Sequence, residues 1–300
     1  MKHVVLAAPG AEQVAALLAG HLQAALSPVE WRRFPDGESY FRLAEDLRDA
    51  DVSVVACLRD PDPQALGLWY LADGARDLGA RSVGLVAPYL PYMRQDKRFH
   101  PGEVITSKSF ARFLSQEFDS LVTVDPHLHR YPSLDSLYTI PAVSVGSAAA
   151  IARWVAANVQ EPVIIGPDSE SEQWAADVAG RVGCPAIVLQ KNRLGDRSVQ
   201  ISVPDVGSAS GRQPILIDDI VSSARTMAVA ARQVGEVFGR PPVCLGVHAV
   251  FAPDALQVLK DAGAGRIVTC NTLPHETNAI DVTGDIAGAV RQLPIQRTKP

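Results

Sequence analysis

Two adjacent carboxylates after a short apolar run are the residues of this chain best suited to chemistry. Asp218 and Asp219 directly follow the run from Pro214 to Ile217. Carboxylates repel a phosphate group, but they accept hydrogen bonds from sugar hydroxyls and bind divalent cations. The alternative is that the two acids merely end a strand, although a buried strand end disfavours charge without a partner. The pattern therefore favours a site for a sugar or a cation.

The loop after these acids is suited to hold a phosphate group. It leads into an apolar-periodic segment that predicts a helix ending near Phe238. A helix N-terminus carries unpaired N–H donors and partial positive charge, and this layout after a buried strand holds phosphorylated sugars in open α/β sheets. The alternative is that Ser222 only caps the helix. The candidate phosphate-binding residues are Ser222, Ser223, Ala224, Arg225 and Thr226.

Two imidazoles follow another strand-like segment, Ser120 to Val124. Asp125, His127 and His129 come directly after it. A neutral imidazole is a good ligand for a divalent ion, although a single histidine is more often structural. We expect the two imidazoles to point to different sides, so that only one enters a given site.

Two polar segments of the first half could contact a nucleotide. Residues Phe34 to Glu38 combine a turn with an aromatic ring and two acids, which could stack on a base and bond to it. Taken alone, this segment is an ordinary hairpin turn. Arg94 and Gln95 follow the strand-like Ser82 to Ala87 in a basic loop, which could bind phosphate or only be solvated.

The second half carries further candidates. Asp168 follows the strand-like Pro162 to Ile165, and Ser171 suits a helix N-cap. Lys191 and Arg193 begin a polar stretch, and two cations on a flexible arm can close over transferring phosphates. Surface loops of this kind commonly have no chemical role. The sequence contains neither a GxxxxGKS or GxxxxGKT motif nor GxGxxG after a strand, so a P-loop mechanism is unsupported.

The composition of the whole chain excludes several classes of function. With 300 residues, 47% of them hydrophobic, the chain is long enough for two globular domains. A net charge of -5 gives no footprint for nucleic acid or an anionic membrane, and no apolar segment is long enough to span a bilayer. Four well-separated cysteines without metal spacing indicate free thiols in a reducing cytoplasm.

Apolar runs alternate with helical periodicities along the chain. This alternation predicts an α/β fold with mainly parallel sheets and crossover helices. The segments around Trp69 and Trp174 are weakly similar in pattern, which favours two related domains, residues 1–143 and 144–300. The predicted strands are His3–Ala7, Val52–Cys57, Ser82–Ala87, Ser120–Val124, Pro162–Ile165, Ala186–Gln190, Pro214–Ile217, Val243–Val250 and Arg266–Cys270.

Taken in order, these motifs resemble the ribose-phosphate pyrophosphokinase family, also called phosphoribosyl pyrophosphate synthetases. Each motif is weak by itself, but six of them in the order of the family are specific and cover nearly the whole chain. The stretch Arg98 to Glu103 looks closer to the shorter archaeal-type members. The six motifs are Phe34–Glu38, Pro88–Lys97, Asp125–His127, Gly166–Asp168, Lys191–Arg193 and Asp218–Thr226.

The resemblance implies two phosphoribosyltransferase-like domains that convert ATP and ribose 5-phosphate to AMP and phosphoribosyl pyrophosphate with Mg²⁺. It also implies a homo-oligomer, at least a dimer, with adenine held across a subunit contact. By the family pattern, ATP would be bound by Phe34, Asp36, Gly37, Glu38, Arg94 and Gln95, the metal by His127 and Asp168, and ribose 5-phosphate by Asp218, Asp219, Ser222, Ser223, Ala224, Arg225 and Thr226, while Lys191 and Arg193 would be catalytic.

Two departures from the family pattern keep alternatives open. Arg225 stands where the family has glycine and backbone approaches phosphate, and Glu170 lies in a turn that the family makes with small residues. A catalytically silent homologue that binds nucleotide and regulates a synthetase is therefore the second hypothesis. A phosphoribosyltransferase is the third, because it shares the loop after Asp219, but it would not need the nucleotide motifs of the first half.

Overall fold

The computed structural model describes residues 2–44, 46–168, 171–193, 199–202 and 207–293, and for 190–193 and 199–202 it describes the backbone only. The chain divides into two compact units. The first unit contains the chain up to Val145, Thr272–Pro274 and the segment from Thr283 onward. The second unit contains Gly146–Asn271 and His275–Val282.

The first unit is built on a six-stranded parallel sheet with the order β2-β1-β5-β6-β7-β8. Its strands are short runs rich in valine and leucine, as expected for strands that helices cover on both faces. In chain order its elements are β1 (His3–Ala7), α1 (Glu12–Leu22), β2 (Ala25–Ser27), β3 (Val29–Arg33), β4 (Ser39–Leu43), β5 (Asp51–Val55), α2 (Ala65–Asp77), β6 (Ser82–Val86), α3 (Thr106–Glu117), β7 (Ser120–Val124) and β8 (Ala142–Val145).

The core of the first unit lies between the sheet and helices α2 and α3. Val54 and Leu85 from the strands pack with Leu71, Leu114 and Phe118, and all five side chains are almost completely buried. Burying each such side chain contributes roughly 1.5–3 kcal/mol relative to leaving it in water. This packing fixes the loops that leave the carboxyl ends of β6 and β7.

The second unit repeats this plan. Its six parallel strands have the order β10-β9-β13-β14-β15-β16, so the first strand again lies between the second strand and the later ones. Its elements are α4 (Ala148–Asn158), β9 (Pro162–Gly166), α5 (Glu172–Val182), β10 (Ala186–Val188), β11 (Gln190–Arg193), β12 (Val199–Ser202), β13 (Gln213–Ile220), α6 (Arg225–Phe238), β14 (Val243–His248), α7 (Ala255–Asp261), β15 (Arg266–Cys270) and β16 (Asn278–Ile280).

Helix α8 (Thr283–Gln292) belongs to the first unit, although it follows the second in sequence. It packs against α1, and the Arg291 guanidinium donates a hydrogen bond to the carbonyl oxygen of His21. Residues 1–143 and 144–300 were expected as contiguous domains. In the compact units, Thr272–Pro274 and the segment from Thr283 onward lie with the first unit.

Each unit also carries a two-stranded antiparallel hairpin, β3–β4 in the first and β11–β12 in the second. Both hairpins follow the edge strand of their sheet, so the internal similarity predicted around Trp69 and Trp174 extends to the strand order. The predicted α/β class with mainly parallel sheets is confirmed. Among the described residues, no helix has the length and apolar character needed to cross a membrane.

Candidate active site

Asp218 and Asp219 are among the last residues of β13, which extends to Ile220 and so runs past the predicted end of the strand. The backbone N–H of Asp219 donates to Asp218 Oδ1 at 3.0 Å, and that of Ile220 donates to Asp219 Oδ1 at 2.7 Å. These local bonds hold both carboxylates at the carboxyl edge of the sheet. Strands β9 and β13 are neighbours whose connections leave in opposite directions, and ligands of open α/β sheets bind at such a position.

A third carboxylate reaches the same edge from β9. Burial, together with the negative charges of Asp219 and Asp168, raises the pKa of Asp218 well above the usual range of an aspartate. A group of three neighbouring acids is suited to hold a divalent cation or several sugar hydroxyls, because either would stabilise the ionised form of Asp218. The fold therefore brings Asp168 close to Asp218 and Asp219, although Asp168 precedes them by about 50 residues in the sequence.

The loop between β13 and α6 has one residue in the left-handed conformation, and it is Ala224, with φ 57°. Arg225 begins the helix and has no positive φ, so its side chain causes no backbone strain at the position where the family has glycine. Ser223, Arg225 and Thr226 are exposed, whereas Ala224 is buried. The loop thus presents hydroxyl groups and a guanidinium beside the unpaired N–H groups of the first helical turn.

Gly246 on β14 has no side chain, and this leaves space for Val221 at the start of the loop. It pairs with Asp218, and a Cβ atom at Gly246 would lie only 2.6 Å from Cγ2 of Val221. The N–H of Val221 donates to the His248 carbonyl at 3.2 Å, and the Ser222 carbonyl accepts from Ala252 at 3.0 Å. The loop is therefore fixed to β14 at its beginning.

Asp168 is held by Ser171 through several hydrogen bonds. The Ser171 hydroxyl donates to the Asp168 carbonyl at 2.7 Å, the Ser171 N–H donates to Asp168 Oδ1 at 3.3 Å, and the Asp168 N–H donates to the Ser171 hydroxyl at 3.4 Å. Ser171 occupies the N-cap position of α5, as predicted, but its side chain makes no capping hydrogen bond to the helix. Its hydroxyl fixes the aspartate instead. Residue Glu170, in the turn that departs from the family, lies outside the described residues.

Gly166→Ala is expected to lower the free energy of unfolding by about 1–3 kcal/mol, because overpacking forces neighbouring groups to move. The new Cβ would lie 2.4 Å from the Ser171 hydroxyl, which must shift and displace Asp168 with it. Denaturant unfolding measures the change. Gly180→Ala is the matched control, since its Cβ would meet nothing within 4 Å on α5, and it should stabilise the protein by about 0.5–1 kcal/mol. Equal stabilities for both variants would contradict this account of Gly166.

The Phe34–Glu38 segment is the turn of the β3–β4 hairpin, as its composition predicts. Gly37 has φ 93°, and the Glu38 N–H donates to Asp36 Oδ1 at 3.1 Å. The Phe34 side chain is exposed, and the Arg32 guanidinium lies 4.4 Å from the centre of its ring. An exposed, oriented aromatic ring beside two acids can stack on a base and bond to its edge.

Arg94 and Gln95 lie in the loop after β6, and both are exposed. The Gln95 N–H donates to the Tyr92 carbonyl at 2.9 Å, and the Ser107 hydroxyl donates to the Gln95 carbonyl at 3.0 Å. The next residue, Asp96, is buried. The loop is therefore anchored on both sides of Gln95 while the Arg94 side chain remains accessible to solvent.

His127 and His129 lie in the loop after β7, and their ring centres are 3.8 Å apart. The expectation that they point to different sides is wrong. Residues two apart in an extended segment share a side, and the positive φ of Asp125, 34°, already turns the chain as β7 ends. Two neighbouring imidazoles therefore occupy this loop, with His127 half-buried and His129 exposed.

Lys191 and Arg193 lie on strand β11, opposite Ile201 and Val199 of β12. The polar stretch that they begin therefore starts as a hairpin strand. Their side chains lie outside the described part of the structure, so the position of either cation stays a prediction from the sequence.

Comparison with known proteins gives a consistent result for both units. Residues 3–117 match the N-terminal domain of ribose phosphate pyrophosphokinase, and residues 133–286 match the phosphoribosyl transferase domain. The ribose-phosphate pyrophosphokinase of Methanopyrus kandleri is 32% identical over 97% of this chain and 99% of its own length. That of Sulfolobus acidocaldarius is also 32% identical, over 87% of this chain and 91% of its own.

The fold has a close counterpart among solved structures. Phosphoribosylpyrophosphate synthetase from Mycobacterium smegmatis matches with a TM-score of 0.83 and 23% identity, over 97% of this chain and 98% of that one. The structural match establishes the fold, and the sequence matches establish the family. Since both domains and nearly the whole length of the archaeal relatives are present, the chain belongs to the ribose-phosphate pyrophosphokinase family.

Proposed function

We propose that this chain transfers the β,γ-diphosphoryl group of ATP to the C1 hydroxyl of ribose 5-phosphate. The oxygen of that hydroxyl forms a bond to the β-phosphorus, and the bond between this phosphorus and the oxygen bridging to the α-phosphorus breaks. The hydroxyl proton is released, and the products are phosphoribosyl pyrophosphate and AMP. The observation that carries the proposal is the match of both units, along nearly the full length, to relatives named for this activity.

The second unit is proposed to bind ribose 5-phosphate. Asp218 and Asp219 accept hydrogen bonds from the sugar hydroxyls, and the loop Ser222–Thr226 donates to the 5-phosphate. The exposed guanidinium of Arg225 adds a charge-assisted donor that the glycine of the family cannot supply. The left-handed Ala224 leaves the helix start at Arg225 free of strain, which supports a working loop.

Mg²⁺ is the proposed metal, and the donors present suit it. Hard cations prefer carboxylate oxygens, and a cation would offset both the burial of Asp218 and the negative charges of Asp219 and Asp168, which together raise its pKa. By the family resemblance, Asp168 and His127 are its ligands. When bound, the ion neutralises charge on the phosphates of ATP.

The first unit is proposed to bind ATP. Phe34 stacks on the adenine, Asp36, Gly37 and Glu38 bond to its edge, and Arg94 with Gln95 donates to the phosphates. Two further expectations accompany this assignment, namely a homo-oligomer of at least two copies and, since all four cysteines are free thiols, a cytoplasmic location.

Lys191 and Arg193 are proposed to act in the transition state. Phosphoryl transfer needs alignment of the reactants and stabilisation of negative charge on the transferring group, rather than an acid or a base of special strength. Two cations that approach the β-phosphorus would supply this stabilisation. A position on a hairpin at the edge of the sheet supports a role that requires closure over bound substrates.

Phe34→Ala is expected to raise the Kd for ATP about tenfold, since stacking on one base is worth roughly 1–3 kcal/mol. The melting temperature should change little, because the ring is exposed on a turn. Isothermal titration calorimetry with ATP measures the affinity. Leu66→Ala removes another exposed apolar side chain and serves as the control. An unchanged Kd for Phe34→Ala would remove this residue from the adenine site.

The two alternatives make different demands on the chain. A phosphoribosyltransferase needs one such domain, whereas this chain has two complete six-stranded units. A silent homologue would bind ATP without turnover. Its support came from Arg225 and Glu170, and the regular helical backbone at Arg225 weakens the first of these arguments.

The proposal is tested by AMP formation from ATP and Mg²⁺ with and without ribose 5-phosphate. AMP that depends on the sugar is the expected result. Retained ATP binding without AMP would instead favour the silent homologue. Sugar-dependent formation of ADP would contradict diphosphoryl transfer itself.

A further inference from the structure

We propose that the ion pair between Asp96 and Arg130 positions the nucleotide-binding loop after β6 relative to the histidine loop after β7. Neither residue contacts a substrate in this scheme, so both are positioning residues. The inference rests on the proposed function, which assigns ATP to Arg94 and Gln95 and the metal to His127. The new element is an ion pair that fixes the positions of the nucleotide-binding residues and of His127 relative to each other.

Asp96 is a buried carboxylate whose two oxygens both face the guanidinium of Arg130. Its side chain is only 1% exposed, and Arg130 Nη1 lies 2.8 Å from each of its two oxygens. The Tyr131 hydroxyl donates to the Asp96 carbonyl at 3.0 Å. A carboxylate buried in this way requires its cation, because a buried charge without a partner is strongly unfavourable. The ion pair therefore holds the loop after β6 and the loop after β7 together at this point.

The pair joins residues that are adjacent in sequence to both groups of proposed ligands. Asp96 directly follows Gln95, and Arg130 directly follows His129. On the other side, the Thr106 hydroxyl donates to Gln95 Oε1 at 2.5 Å, so the amide side chain is also fixed from α3. Small displacements of positioning groups have large effects on phosphoryl transfer, because catalysis depends on alignment. A link one residue away from Gln95 is suited to control this alignment.

Arg130 makes a second contact that extends the same role. Its guanidinium lies 5.8 Å from the centre of the Phe99 ring, and Lys97 Nζ lies 5.0 Å from the same ring. Phe99 lies in the continuation of the loop after β6, and its exposed ring has the cations of Arg130 and Lys97 as neighbours. Arg130 thus contacts the loop after β6 at two points while it belongs to the loop after β7. A lysine could replace the charge but not the planar group that spans both contacts.

Steady-state kinetics of Arg130→Gln, Arg130→Lys and Asp96→Asn test the inference. For Arg130→Gln we expect kcat/KM for ATP to fall about 10²-fold, the scale of a small misplacement of reacting groups. The Mg²⁺ concentration at half-saturation should rise several-fold, since the histidine loop moves as well. Arg130→Lys should be intermediate. The double variant Arg130→Gln/Asp96→Asn should be no worse than the more damaged single variant, because both changes break one link.

Direct binding separates failure of this inference from failure of the proposed function. The Kd for ATP and the Kd for Mn²⁺ are measured without sugar, and both should weaken in Arg130→Gln even if the wild type forms no AMP. Arg181→Gln removes a similar but exposed pair with Asp177 on α5 and should change neither constant. A lowered melting temperature with unchanged kcat, KM, Mg²⁺ dependence and binding would make the pair merely structural and overturn the inference.

Discussion

Replacing Lys191 by alanine is expected to lower kcat by about 10²–10³-fold, the usual cost of removing a group that stabilises charge in the transition state. The Kd for ATP should remain nearly unchanged, because an interaction made only in the transition state does not contribute to ground-state binding. The position of Lys191 on the β11–β12 hairpin, separate from the parallel sheet, agrees with such a role.

The comparison of kcat with Kd decides the role of this lysine. Single-turnover rates and ATP titrations are measured on the wild type, Lys191→Ala and Lys191→Arg. Lys260→Ala removes an exposed lysine from α7 and controls for the loss of a surface charge. Equal losses of ATP affinity and turnover would assign Lys191 to ground-state binding, and full turnover without it would remove it from the reaction.

Asp218→Asn is expected to abolish most of the activity and, at pH 8, to stabilise the protein without ligands by about 1–3 kcal/mol, since one pKa unit corresponds to about 1.4 kcal/mol. Burial and the carboxylates of Asp219 and Asp168 raise the pKa of Asp218 in the folded protein. The amide has no charge to desolvate, and its oxygen can still accept from the Asp219 N–H. A residue that weakens the fold while it serves the site is common in enzymes.

The sign of the pH dependence follows from the raised pKa. Between the ordinary aspartate pKa, about 4, and the raised pKa, the unfolded chain has lost its proton while folded Asp218 still holds it. Asp218 therefore contributes less to stability as the pH rises through this window. The stability advantage of Asp218→Asn should be near zero at pH 4 and largest above the raised pKa.

Denaturant unfolding at several pH values, without and with Mg²⁺, measures this dependence. Asp177→Asn, on the exposed face of α5, controls for the loss of one surface carboxylate. Added Mg²⁺ should reduce the difference between the wild type and Asp218→Asn, because a bound cation favours the ionised carboxylate. If the difference in the free energy of unfolding between the two proteins stayed constant with pH, the pKa of Asp218 would not be raised in the folded protein, and this account of Asp218 would be wrong.

The parts of the fold that local sequence pattern encodes could be predicted. The buried strand before Asp218 and the helix that starts near Thr226 are visible because an apolar run, two acids and a helical period follow one another. The structure extends the strand to Ile220, because Asp218 and Ile220 still pair with Gly246 and His248 of β14, and this pairing with a distant strand has no signature in the local sequence.

Features that depend on distant contacts could not be predicted. Helix α8 joins the first unit through α1, and the bond between Arg291 and His21 links residues 270 positions apart. The hairpins β3–β4 and β11–β12 escape strand prediction because polar residues interrupt their apolar residues, so that no continuous apolar run marks these strands. The link between Asp96 and Arg130 spans 34 residues, and only the neighbouring carboxyl ends of β6 and β7 bring the two together.

Transfer of an intact diphosphoryl group can be followed by ³¹P nuclear magnetic resonance of the reaction mixture. With ATP, Mg²⁺ and ribose 5-phosphate, we expect one coupled pair of diphosphate signals bound to the sugar for each AMP formed, with the 5-phosphate retained. Samples without sugar should keep their ATP. ADP with a sugar that gains a single phosphate, or AMP with free pyrophosphate and unchanged ribose 5-phosphate, would contradict the proposed reaction.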